Sequence, residues 1–152
     1  MKYLLVPMAG LCFFFVSLSA MVAPAADEAA IRTVMEKRKA AFNAKDAQAY
    51  AVLHVESFEN WLGTVKDRAA FEKDRSERFE RQKNEKRELL NEIGIVFVTP
   101  EVAIYKGRME YAGWVDADGK IAPPGKRLLA RVLVKKQGQW LIAATFGRSI
   151  EE

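Results

Sequence analysis

RLLARVLVKKQGQWLIAATFGRS, residues 127–149, holds two apolar runs rich in β-branched and aromatic residues around a Gln137-Gly138 pair. That pattern predicts a long antiparallel hairpin closed by a tight turn. Alternate side chains of a strand point to opposite faces, and here both parities are apolar: Leu129 and Leu133 on one, Leu128, Val132 and Val134 on the other. Both faces of the ribbon therefore need cover. The chain's own helices can supply one cover; the other calls for a partner subunit or further wrapping of the sheet.

Working outward, 152 residues, half of them hydrophobic, suffice for one domain with a real core and are too few for two. Basic and acidic residues number 24 and 20. Near balance of this kind leaves no electrostatic footprint for nucleic acid, so that class of partner is set aside. Residues 1–25 carry one cation, Lys2, then an apolar run and small residues ending in Ala23-Pro24-Ala25. This is the pattern of a cleaved secretory signal; the run is broken by Pro7 and Gly10 and falls short of the roughly 20 residues of a spanning helix. The expectation is a periplasmic or secreted domain over residues 26–152, with no membrane attachment after cleavage. Cys12, the single cysteine, would leave with the signal, so the mature domain has no disulfide chemistry.

Ile31, Val34, Met35 and Phe42 share one stripe at helical spacing, predicting an amphipathic helix over 27–44. Arg38 falls in the middle of that stripe. A buried charge costs several kcal/mol unless it is paired, so Arg38 must snorkel to the helix edge, pair with an internal carboxylate such as Glu59, or line a polar pocket as an anchor for an anionic or carbonyl-bearing ligand. A short second helix follows Asp46, its predicted N-cap. Residues 57–63 read as a strand holding Trp61 and Glu59 on one face, either inward beside Arg38 or outward at the surface. Thr64 and Asp67 have the spacing of a capping box, predicting a charged helix over 65–88 with a thin stripe of Ala69, Ala70, Phe71 and Phe79.

The rest reads as strands: 89–98, a turn at Thr99-Pro100-Glu101, then 102–115. On the latter, Tyr105, Met109 and Tyr111 share the parity expected to face inward, opposite Lys106, Arg108 and Glu110. The two tyrosines can be core aromatics with hydroxyls at a pocket mouth or donors to a substrate. His54, the only histidine, cannot make a metal site alone, so no metal or cofactor is expected; a hydrogen-bonding role at a pocket rim or the surface is expected instead of general-base work. Asp118-Gly119 belongs to a turn and lacks the spaced carboxylates of a calcium loop.

IRTVMEKRKAAFNAKDAQAYAVL (31–53), the entry into the third helix at 63–71, VFVTPEVAIYKGRMEY (96–111) and VLVKKQGQWLIAATFGRS (132–149) together resemble the nuclear transport factor 2-like superfamily, in its SnoaL-like branch. The resemblance covers about residues 30–149 and contains no catalytic signature. It implies an α+β fold, a curved antiparallel sheet wrapped by three helices into a cone, with a pocket at the wide end and frequent dimerisation through the sheet. Such domains include steroid isomerases, polyketide cyclases and dehydratases beside non-enzymatic modules, so the fold does not decide the activity. Isomerase-like members use a carboxylate on the first strand as base, and the nearest acids here are Glu56 and Glu59. Many SnoaL-like relatives carry a histidine near the end of the last strand, where this chain has Phe146. The favoured expectation is therefore a homodimeric, cofactor-free module binding a small, partly apolar, possibly anionic ligand through Arg38, His54, Glu59, Trp61, Tyr105 and Tyr111. A cofactor-free isomerase, cyclase or dehydratase is the alternative.

Overall fold

In the computed structural model, the described residues are 25–60, 65–82, 84–113, 115 and 119–150, with the backbone alone described for residues 58–60, 65, 89 and 90. The signal expected at the N-terminus and Trp61 lie outside the described residues, as does the side chain of Glu59.

The first helix, α1 (Ala25–Ala44), buries Ile31, Met35, Arg38, Ala41 and Phe42, the stripe that the helical period requires. Lys45, at φ 61°, ends it in the left-handed region. Asp46 then caps α2 (Ala47–Ala51), its carboxylate accepting from the Ala49 amide at 2.8 Å. The chain continues through β1 (His54–Asn60) and β2 (Val65–Asp67) into α3 (Arg68–Arg81). Asp67 is itself the N-cap of α3, accepting from Ala70 at 2.7 Å, so this helix starts later than the capping-box reading predicts. It also ends earlier. Residues 86–88 were expected to be helical, but they pair with β4 as the start of β3 (Lys86–Thr99), so long-range hydrogen bonding overrides a charge pattern with no helix breaker in it.

Strands β4 (Val102–Ala112), β5 (Gly125–Lys136) and β6 (Gln139–Ile150) complete one six-stranded sheet in the order β2-β1-β6-β5-β4-β3. All neighbours are antiparallel except β1 and β6, which run parallel. The β5–β6 hairpin turns at Gln137 and Gly138, φ 50° and 78°, the two positive angles that match a hairpin's twist. Three register shifts along β3 and β4 bend the outer part of the sheet around the helices.

The helices fill the concave face. Ala103, Tyr105 and Met109 of β4, Leu129, Arg131 and Leu133 of β5, and Trp140 and Ile142 of β6 are buried beneath them. Asp27 at the start of α1 latches onto the hairpin, accepting from Lys135 Nζ at 2.7 Å and Trp140 Nε1 at 2.9 Å. The lysine first, then the indole, hold the Asp27 carboxyl below its ordinary range. On the convex face Ile93, Val96, Val98 and Phe146 stay about half exposed. The expected apolarity of both hairpin faces thus resolves into one face under helices and one open.

Candidate functional site

Two guanidinium groups meet inside the cone. Arg38 projects from the buried stripe of α1 and Arg131 from the inward parity of β5; they are only 7% and 4% exposed. Arg38 Nη2 donates to the Tyr50 hydroxyl, and the guanidinium lies 4.7 Å from the centroid of the same ring. Among the described residues, Arg131 Nη1 donates to the thioether of Met35, at 3.6 Å. The Nε of each arginine is buried without an acceptor among the described residues. The Nε–H of each is thus left unused, where buried donors ordinarily find partners. Burial first, then the neighbouring Arg131, push the Arg38 pKa well down; burial lowers that of Arg131.

Both arginines border a cavity of about 30 Å³, room for about two water-sized atoms. Met35, Phe42, Met109 and Leu129 give it apolar walls, and Tyr105 adds a further polar group. The Tyr105 hydroxyl is buried and unpartnered among the described residues; burial, then Glu92, raise its pKa to about 12, so it is a neutral donor at ordinary pH. Lys39, Arg87 and Glu88 border this cavity and also an outer groove of about 340 Å³, whose other walls include Asn43, Lys86 and Tyr111. The small chamber and the larger polar groove thus share these three residues as walls.

The interior is strongly cationic. Arg75 of α3 lies 5.0 Å from the Tyr50 ring centroid, and Arg87 of β3 lies 3.7 Å from that of Phe42. Glu85 is the one acid among the buried polar residues, and its Oε1 is taken by Arg87 at 2.8 and 2.9 Å. Burial alone would raise the Tyr50 pKa. Arg38 foremost, with Arg75, Arg87 and Arg131, outweighs burial and brings it to about 8.

The residues singled out from sequence divide. Arg38 and Tyr105 border the inner cavity, whereas Tyr111 borders the outer groove, under the Arg127 guanidinium at 4.6 Å. His54 is at neither rim nor surface: it is 1% exposed, packed 4.7 Å from Phe71, and its Nδ1 donates to the Tyr50 carbonyl at 2.9 Å. Burial, then Arg38, hold its pKa well below the ordinary histidine range, so it stays neutral. Glu56 turns outward to Arg68 at 3.2 Å, its side chain 75% exposed, and does not face the cavity as a base. Phe146 points to the convex face, away from the arginines. No group of acids, histidines or cysteines able to hold a metal occurs among the described residues. Neither Arg131 nor Tyr50 is among the residues singled out from the sequence. Arg131 is a charge between Leu129 and Leu133 on one parity of β5, but the other parity is apolar too, so the strand alone does not mark which side is buried.

No protein-family model matches the sequence, and no curated protein matches it. Solved structures do share its fold. An uncharacterized protein with a cystatin-like fold from Caulobacter vibrioides is 18% identical over 82% of this chain and 89% of that one, with a TM-score of 0.71. An NTF-2-like protein of unknown function from Shewanella oneidensis is 11% identical over 80% and 98%, with a TM-score of 0.59. A protein from Novosphingobium aromaticivorans, named as a candidate scytalone dehydratase, is 20% identical over 83% and 85%, with a TM-score of 0.68. The fold is the NTF-2-like, cystatin-like α+β cone. At these identities the likeness extends to the fold and not to the activity.

Proposed function

We propose that this domain binds a small organic anion, a monocarboxylate whose head group sits between Arg38 and Arg131 while its body extends into the outer groove. The observation that carries this reading is the pair of buried guanidiniums beside a cavity, each with an Nε that has no acceptor among the described residues and with a phenol or a thioether as partner. Guanidinium forks match carboxylates in plane and spacing, and the two oxygens of a carboxylate would occupy the space that about two waters fill. Tyr105 would donate a further hydrogen bond, and the methionines and Leu129 would contact an apolar carbon next to the head.

Binding is better supported than isomerase-type acid–base chemistry. That chemistry needs a carboxylate and a tyrosine converging on one point, and Glu56 is committed outward to Arg68. The secretory leader read at residues 1–25 makes the ligand one met in the periplasm or outside the cell.

Acetate is the simplest probe. It should raise the melting temperature of the wild-type domain in a saturable way, by mass action on the folded state. Arg38→Met should fold and show no such shift; an equal shift in this variant would remove Arg38 from the site.

The convex face, with Phe146 at 48% and Ile93 at 50% exposure beside Leu128 and Ala130, is proposed to cover itself against a second copy. Sedimentation at micromolar concentration should give twice the monomer mass, and Phe146→Lys should return the monomer. A wild-type monomer at that concentration would remove the interface.

A further inference from the structure

We infer that Tyr50 is the ionisable counter-ion of this site: in alkaline solution its phenolate balances Arg38 when the cavity is empty, and a bound carboxylate takes over that role while Tyr50 regains a proton from solvent. This rests on the carboxylate-binding reading and specifies how that site is regulated.

The geometry is the starting point. Tyr50 is 1% exposed, and its hydroxyl receives a hydrogen bond from Arg38 Nη2. Its ring is locked by Phe42, Phe71, Phe79 and the neutral His54, with centroids 5.1 to 6.3 Å away, so the hydroxyl cannot swing out to water. Charged groups bear on it from every side: Arg38 from α1, Arg75 and Arg78 from α3, Arg87 from β3 and Arg131 from β5. Glu85, the one buried acid among the described residues, has its Oε1 on Arg87. The phenol is the acidic group in hydrogen-bond contact with Arg38, and its pKa of about 8 fits that role.

A carboxylate entering beside Arg38 and Arg131 brings its own negative charge. Two anions cannot share these cations as cheaply as one, so the phenolate takes a proton from solvent and becomes a neutral donor or acceptor. No bond other than the O–H bond of Tyr50 is formed. Below about pH 8 the phenol already holds its proton and binding needs none. Above it, each anion bound takes up one proton and affinity falls about tenfold per pH unit.

Acetate binding to the full-length mature protein should be followed by calorimetry at several pH values from about 6.5 to 9.5, in buffers of different ionisation enthalpy. Near-ultraviolet tyrosinate absorbance gives an independent readout on the wild type. Proton uptake rising to one per acetate, with a matching loss of tyrosinate absorbance, is the expected result. Tyr50→Phe should bind acetate with no proton uptake and constant affinity. Acetate affinity that is flat across this range, without uptake, overturns the coupling while leaving the binding reading in place; uptake that persists in Tyr50→Phe also overturns it. Absence of acetate binding at every pH overturns both.

Discussion

Arg131→Met should stabilise the empty domain by about 1–4 kcal/mol while weakening anion binding a hundredfold or more. The arginine is 4% exposed and sits near other guanidiniums, and among the described residues it donates to a thioether. A charge brought into such a place loses several kcal/mol of hydration, and a weak sulfur acceptor returns little of it. Methionine keeps the length and flexibility of the stem, restores contact with Met35 and Met109, and removes the desolvated charge. Urea unfolding in anion-free buffer measures the first effect and acetate titration the second. Loss of stability in Arg131→Met would mean that the guanidinium holds the cone together, and the binding reading would fall with it. A gain would mark the residue as one retained for a ligand at the expense of the fold.

Arg38 was legible because three apolar residues around it, Ile31, Met35 and Phe42, fix the inward direction of α1 without reference to anything else. Arg131 lies in the stretch from which the fold was read, yet both parities of that hairpin are apolar, so the strand does not announce which side is inside. The answer comes from β4. There, Lys106 and Arg108 mark the outer side and Tyr105 and Met109 the inner, and register carries that assignment across to β5, where Tyr105 pairs with Arg131. The extent of α3 failed for a related reason: its mixed charges run on into β3, and nothing local separates a solvated helix from a strand whose partner is more than twenty residues away. The parallel pairing of β1 with β6 is longer in range still. His54 had no local signal at all; its place in the core follows from the α2–β1 junction, where its ring returns to the Tyr50 carbonyl.

Glu85→Gln should be the most damaging change among the interior polar residues, costing about 3–5 kcal/mol. Glu85 is 2% exposed, follows α3, and takes two hydrogen bonds from Arg87 on one oxygen. Its charge also offsets Lys45 and Arg78. The amide keeps the shape and loses the charge, so Arg87, stacked on Phe42, becomes one more uncompensated cation facing Tyr50, Arg38 and Arg131. Glu85→Gln combined with Arg87→Met should recover most of the loss, because removing both partners leaves neither charge stranded. Binding should move the other way. With the internal carboxylate gone, the potential in the cavity rises, the Tyr50 phenol ionises at lower pH, and acetate binds more tightly below that new value. Denaturant unfolding of the two single variants and the double variant closes the cycle, and a loss in Glu85→Gln that Arg87→Met does not repair would show that Glu85 acts through its backbone surroundings and not by balancing the arginines.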